Sequence, residues 1–140
     1  MVLETARHAE RRNARVIGFI GGAGASCDAH HMTAPEPAGK GAAEAIRRAL
    51  SDAGRVPSEV DFINAHGTGT PLNDAAAWGA FREVFGDRAG DIPVTSTKGS
   101  IGHLLGSAGA IEAVATLLCL MRGEVHPTDR KSTRLNSSHG

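Results

Sequence analysis

The sequence has no tyrosine, one tryptophan and four phenylalanines. So few flat rings leave nothing like a stacking platform for nucleic-acid bases. A surplus of charge is missing too: fifteen Lys plus Arg face fifteen Asp plus Glu. That balance removes the electrostatic footprint of a nucleic-acid binder or of a basic membrane surface. Cys27 and Cys119 are the only cysteines, which excludes a disulfide framework. The amino-terminal stretch is charged and has no apolar h-region, so no secretory leader is expected. The longest apolar run, Ala113 to Met121 with its flanks, falls short of the roughly 20 residues that cross a bilayer. These absences together lead to the expectation of a cytoplasmic protein with neither a nucleic-acid nor a membrane partner. What the chain has instead is glycine, 18 in 140 residues, and a hydrophobic content of 41%, enough for one domain with a core.

The apolar periodicity predicts a helix over Met1 to Ala14, a strand over Arg15 to Ile20 and a helix over Lys40 to Ala53 that Gly54 ends. A buried strand follows at Val60 to Ile63, then a helix over Asp74 to Phe85 closed by Gly86, with Ala75, Trp78, Phe81, Val84 and Phe85 in the core. Ile92 to Thr97 reads as a further strand. The last helix, Ser107 to Met121, is apolar nearly all round and is therefore expected to be buried on most sides, with Gly123 at its end. Strands alternating with helices argue for an α/β fold with a mainly parallel sheet. From Asp129 onward the periodicity stops. The segment 129–140 looks like a sequencing-adapter oligonucleotide translated in frame, so it is read as a non-native or disordered tail, and 1–128 as the folded unit.

Some weak motifs fall away. Gly22-Ala23-Gly24 lacks the third glycine and the following helix of a dinucleotide loop, and Gly39-Lys40 lacks the first glycine and the hydroxyl residue of a P-loop. Cys27, His30 and His31 have no second ligand pair at zinc spacing. Two stretches are stronger. Asn64-Ala65-His66-Gly67-Thr68-Gly69-Thr70-Pro71-Leu72-Asn73-Asp74 puts a histidine where a strand ends, among glycines that admit a ligand and threonines that can hydrogen-bond it. Lys98-Gly99-Ser100-Ile101-Gly102-His103-Leu104-Leu105-Gly106-Ser107-Ala108-Gly109-Ala110-Ile111-Glu112 repeats the arrangement after the next strand. Each alone is equally an ordinary Gly/Thr/Pro turn with a surface histidine. As a pair, they could converge on one substrate group.

Both motifs, in this order and spacing, resemble the elongating β-ketoacyl-acyl carrier protein synthases, condensing enzymes of the thiolase superfamily. Polyketide ketosynthases are similar. The resemblance runs from about Val2 to Thr128 and implies the carboxy-terminal half of a duplicated, layered thiolase-like fold. It implies decarboxylative condensation of malonyl-acyl carrier protein with an acyl thioester, in fatty acid or polyketide synthesis. His66 and His103 become the catalytic histidines, stabilising the enolate as N–H donors. Lys98 supports them and, with a nearby helix N-terminus, keeps the imidazoles neutral. Thr33, Thr68 and Thr70 match threonines that hold the phosphopantetheine arm, although the usual serine beside Thr33 is Ala34 here. Glu112 is expected as a supporting carboxylate. Ala77 is expected to stand where the family's lysine has its glutamate partner, which would leave Lys98 to find another, such as Asp74. The nucleophilic cysteine is expected in the half not spanned here, since neither Cys27 nor Cys119 matches it, and a fragment without it is expected to be inactive alone. No cofactor is implied beyond the carrier's phosphopantetheine. The partners implied are acyl carrier protein and a second subunit, as a homodimer or a ketosynthase heterodimer. A non-catalytic chain-length partner and an inactive structural fragment are the competing readings.

Overall fold

A computed structural model describes residues 1–128; the predicted tail, 129–140, lies outside the described residues. Among the described residues the regular structure comprises five α-helices and two short strands, with three short 3₁₀ turns between them: α1 (Ala6–Arg11), α2 (Lys40–Asp52), β1 (Ile63–Asn64), α3 (Pro71–Phe85), β2 (Val94–Thr95), α4 (Lys98–Ile101) and α5 (Ala108–Arg122). The strands pair in parallel, with Ile63 opposite Val94 and Asn64 opposite Thr95. Each is shorter than the sequence suggests. The pairing extends past their ends through Ile63 N–H to Pro93 O at 3.0 Å and Ala65 N–H to Thr95 O at 2.7 Å.

α2 and α3 form the packed side of the molecule. Their contact is built from small residues, with Ala43, Ala76 and Ala80 buried. Phe85, Ala89 and Ile92 make the core cluster, and Ile46, Leu50, Val60, Ile63, Phe81 and Val84 pack around it. α3 starts three residues earlier than predicted because Pro71, which has no N–H to leave unpaired, occupies the first turn. Trp78 does not join the core: it is 46% exposed. The buried face of α3 is centred on Ala76 and Ala80, and a residue two positions from Ala76 is turned about 200° away on a helix of 3.6 residues per turn.

Three other expectations change. α1 is confined to six residues, because the Thr5 hydroxyl caps it by accepting His8 N–H at 3.2 Å and Asn13 leaves helical geometry at φ +52°. Arg15 to Ile20 is extended but belongs to no strand, because no neighbour pairs with it among the described residues; Phe19 is 81% exposed. A strand requires a ladder as well as a propensity. The chain beyond it docks on α2 instead, through Ala23 N–H to Asp52 Oδ2 at 2.9 Å, Ser26 Oγ–H to Gly41 O at 2.6 Å and Arg48 Nη1–H to Ala25 O at 3.0 Å. Gly24 makes this approach possible, since a Cβ there would lie 2.1 Å from Ala45 O.

α5 is the third correction. Only Ala108 of it is buried, while Ile111, Leu118, Leu120 and Met121 are exposed. Its apolar residues are at most partly covered among the described residues beyond Ala108, with Leu117 set against Gly18. Together with the turn before it, Leu105–Arg122 spans 18 residues at a mean hydropathy of 1.4. The run predicted as too short is thus long and apolar enough, by length and composition, to cross a membrane. The prediction stopped at Met121 and began at Ala113, and so left out the apolar first turns.

Candidate active site

The site is assembled where β1 and β2 run out side by side. After β1 the chain turns through His66 and Gly67. Gly67 has φ +48°, and a Cβ on it would meet the Ser96 side chain at 2.5 Å. From Thr95, the last residue of β2, through Ser96 and Thr97 to Lys98 run four successive polar residues that are all buried. Ser96 explains why. Its hydroxyl reaches His66 O at 3.3 Å and Gly67 O at 3.1 Å and accepts Lys98 N–H at 3.3 Å. One hydroxyl therefore fastens the turn bearing His66 to the turn bearing Lys98. Ser96 was missed in the sequence, where the signal was a run of three hydroxyl residues just before a lysine.

α4 then leads to His103. The rings of His66 and His103 stand 5.2 Å apart at an interplanar angle of 82°. His103 Nδ1 accepts Leu105 N–H at 3.1 Å. A ring nitrogen that accepts a bond in the neutral imidazole carries no proton, so the proton of His103 sits on Nε2, free to be donated. His66 is drawn below its ordinary value of 6.5, first by partial burial of its ring, then by the Lys98 and His103 charges; Glu112 and Asp74 pull it the other way. The lowered value favours the neutral ring of His66 near pH 7, which carries one N–H.

Lys98 is buried, its side chain only 5% exposed, and its Nζ is ion-paired with Glu112 on the second turn of α5. This corrects the expectation that Ala77 deprives Lys98 of its partner: the partner is Glu112. The sequence reading failed because Glu112 is fourteen residues away, across α4 and a turn. Asp74, by contrast, is engaged with the glycine loop, accepting Gly69 N–H at 3.1 Å and Asn73 Nδ2–H at 3.0 Å. Thr68 and Thr70 share a hydrogen bond of 2.9 Å between their hydroxyls at the same turn. Thr33 stands on a separate loop. Its N–H, with that of Ala34, is given to His31 Nδ1 at 3.1 and 3.2 Å, and Asp28 and Glu36 tie the loop to α2 through Glu36 N–H to Asp28 and Lys40 N–H to Glu36, each 2.9 Å. The structure thus brings together His66, His103, Lys98 and Glu112, with Thr68, Thr70 and Asp74 beside them. The polar contacts of Thr33 remain within its own loop.

Two imidazoles beside a buried ammonium–carboxylate pair, one after β1 and one after α4, can present N–H groups to an oxyanion. Residues 17–130 match the model of the β-ketoacyl synthase C-terminal domain. The chain belongs to the β-ketoacyl synthase family, a family of condensing enzymes, and its fold is a partial α/β, thiolase-like one. It is 46% identical over 128 residues to a 3-oxoacyl-[acyl-carrier-protein] synthase 2 of Synechocystis, covering 91% of this chain and 31% of that protein. It is also 46% identical over 125 residues to a mitochondrial 3-oxoacyl-[acyl-carrier-protein] synthase of Arabidopsis thaliana, covering 88% and 27%. Among solved structures, a type II polyketide acyl-carrier protein in complex with its ketosynthase bound to the hexaketide superposes with a TM-score of 0.86 at 39% identity, covering 89% of this chain and 31% of that one. The chain therefore spans less than a third of the length of these relatives.

Proposed function

We propose that this chain is the carboxy-terminal part of a 3-oxoacyl-acyl carrier protein synthase, and that its share of the reaction is to stabilise the enolate formed by decarboxylation. The observation that carries the reading is the pairing of the His66 and His103 rings near the buried Lys98–Glu112 pair. In the reaction, the bond from the malonyl α-carbon to its carboxylate breaks and carbon dioxide leaves. The electron pair passes into the thioester as an enolate, whose oxygen receives the two N–H donors. The α-carbon then attacks the acyl thioester carbonyl; a carbon–carbon bond forms, the carbon–sulfur bond breaks and the thiolate departs.

Lys98 is assigned a supporting role, holding the imidazoles neutral by its charge. Thr68 and Thr70, and Thr33 from its loop, are assigned to the phosphopantetheine arm, and no other cofactor is proposed. Cys27 and Cys119 are both free thiols, and neither stands in a contact with the histidines. The nucleophile is assigned to the remainder of the longer protein, without which this part does not turn over. Acyl carrier protein is the proposed partner, in keeping with the carrier–ketosynthase complex that the chain resembles. A second subunit, a copy of the same protein or a ketosynthase partner, fits the amount of exposed apolar surface. That surface also gives α5 a place within the assembled synthase rather than in a membrane. The cytoplasm is the proposed compartment, with an organelle matrix the counterpart for relatives such as the Arabidopsis one, which is named mitochondrial. A polyketide ketosynthase of the same mechanism is the second reading, favoured by the type II polyketide complex.

The test uses the longer enzyme carrying this segment. Carbon dioxide release from malonyl-acyl carrier protein is measured for His66→Ala and His103→Ala, and acyl loading separately. Each variant should lose ~10²–10³-fold in decarboxylation, the cost of one oxyanion donor, with less effect on loading. Normal decarboxylation by a folded variant returns that histidine to a structural role. Product length, set by the same assay with malonyl extender alone, separates the fatty acid reading from the polyketide one.

A further inference from the structure

Asn64 is a polar residue for which the reaction above has no use. It closes β1, two residues before His66, and is paired with Thr95 of β2. Its side chain points away from the substrate turn to α5. Nδ2 donates to Glu112 O at 2.9 Å and to Thr116 Oγ1 at 3.0 Å, while the Thr116 hydroxyl itself donates to Glu112 O at 2.9 Å. Both amide protons and the hydroxyl proton are thereby used in one closed triangle. The orientation of the amide follows: turned over, its oxygen would face the Glu112 carbonyl, acceptor against acceptor. Oδ1 is buried with no hydrogen-bond partner among the described residues. Neither leucine nor aspartate could replace the amide, the first having no protons to give and the second setting a charge against a carbonyl.

The residue at the apex of this triangle is Glu112, whose side chain is the ion-pair partner of Lys98. The rest of α5 has little apolar burial to hold it, since only Ala108 is buried. We propose that Asn64 is a positioning residue that pins the first turns of α5 to the end of β1 so that Glu112 reaches Lys98 beside His66. Its catalytic consequence rests on the enolate reading above; its structural content does not. The groups whose charge bears on His66 are Lys98 of α4, His103, Glu112 of α5 and Asp74 of α3.

The Lys98 ammonium gives a signature. In the full 140-residue chain, labelled with ¹⁵N, its protons should exchange slowly enough with water to be seen, and Glu112→Gln should abolish the signal and so assign it. Asn64→Ala should speed that exchange about tenfold, the equivalent of one net hydrogen bond, while helical circular dichroism is retained. Thr116→Ser should leave the rate unchanged, because the hydroxyl is kept, and Thr116→Val should raise it several-fold. A role for Asn64 in packing alone would lower the unfolding midpoint without altering exchange at Lys98. An unchanged rate in a folded Asn64→Ala protein overturns the proposal. Should Asn64→Ala fail to fold, Thr116→Val decides: faster exchange supports the pin, and an unchanged rate overturns it. No substrate or nucleophile enters this measurement, so loss of the enolate reading in the decarboxylation assay would leave its outcome standing.

Discussion

α3 and α5 are both fifteen residues long, yet they are held in opposite ways. α3 carries Asp74, Arg82 and Glu83 among its residues and still buries Ala76, Ala80 and Phe85. α5 has only Glu112 and Arg122 as charged residues and buries Ala108 alone. The difference is in what stands opposite. α3 meets α2 through small residues that let two backbones approach, and adds Phe85 to a core shared with Ile92. α5 is tied to the molecule by polar bonds from its first turns: Glu112 to Lys98, and Glu112 O with Thr116 to Asn64. Hydrophobicity states what a helix gains by being covered; burial needs a covering partner.

The sharpest contrast is a truncation on each helix. Phe85→Ala removes a core ring and should destabilise the chain by about 3–5 kcal/mol in urea unfolding. Leu120→Ala removes a side chain that is 65% exposed, and should fall within about 0.5 kcal/mol. A core-sized loss at Leu120 would mean that α5 is covered in solution by another copy, and would remove the contrast. Next in size is Glu112→Gln, which leaves the buried Lys98 ammonium without its carboxylate. The cost of breaking such a pair is about 3 kcal/mol, the lower end of the range because Glu112 keeps some contact with water. A value near zero would show that Lys98 turns to solvent or to another acceptor, and α5 would then be anchored by Asn64 alone. Ala77→Glu, by the same reasoning, should restore nothing, because Lys98 already has its partner.

Ser96→Ala should cost about 1–3 kcal/mol, since the carbonyls of His66 and Gly67 and the N–H of Lys98 lose a buried partner together. Hydrogen exchange at the Lys98 amide should accelerate with it, and an unaltered amide would mean that the two turns hold each other without the hydroxyl. The smallest effect expected is on pH dependence. His66 has a folded pKa below its ordinary 6.5, so the unfolded chain binds more protons than the folded one as pH falls past that value. Stability from this group is complete above about 6.5 and is lost as pH falls through the lower, folded value. His66→Gln should remove that part of the acid-side slope. A slope of the opposite sign would put His66 charged in the fold.

The candidate site residues could be singled out in the sequence because they are close in the chain to signals of local geometry. His66 follows β1 and precedes α3, His103 follows α4 and precedes α5, each beside glycines, and the structure brings the two rings together. The helices α2, α3 and α5 were legible within one to three residues at each end, because their apolar spacing and the glycines after them are local. What was not legible depends on pairs distant in sequence. Lys98 finds Glu112 rather than a residue near position 77. Arg15 to Ile20 has the composition of a strand but no ladder among the described residues. Trp78 was assigned to the core by its type, whereas the smaller alanines determine the inner face of α3. Asn64, read within a turn motif, and Ser96, read within a strand, were passed over because each works through backbone carbonyls, which a sequence does not print.

The central claim is that His66 and His103 serve one oxygen. Decarboxylation by the double variant, His66→Ala with His103→Ala, measured in the longer enzyme beside the two single variants, tests it most directly. Two donors acting on one developing charge are a unit, and such units are non-additive when removed together. The double variant should therefore release carbon dioxide at a rate close to that of the slower single variant. A loss equal to the product of the two single losses would mean that the histidines act on separate events, and the shared oxyanion site would be contradicted.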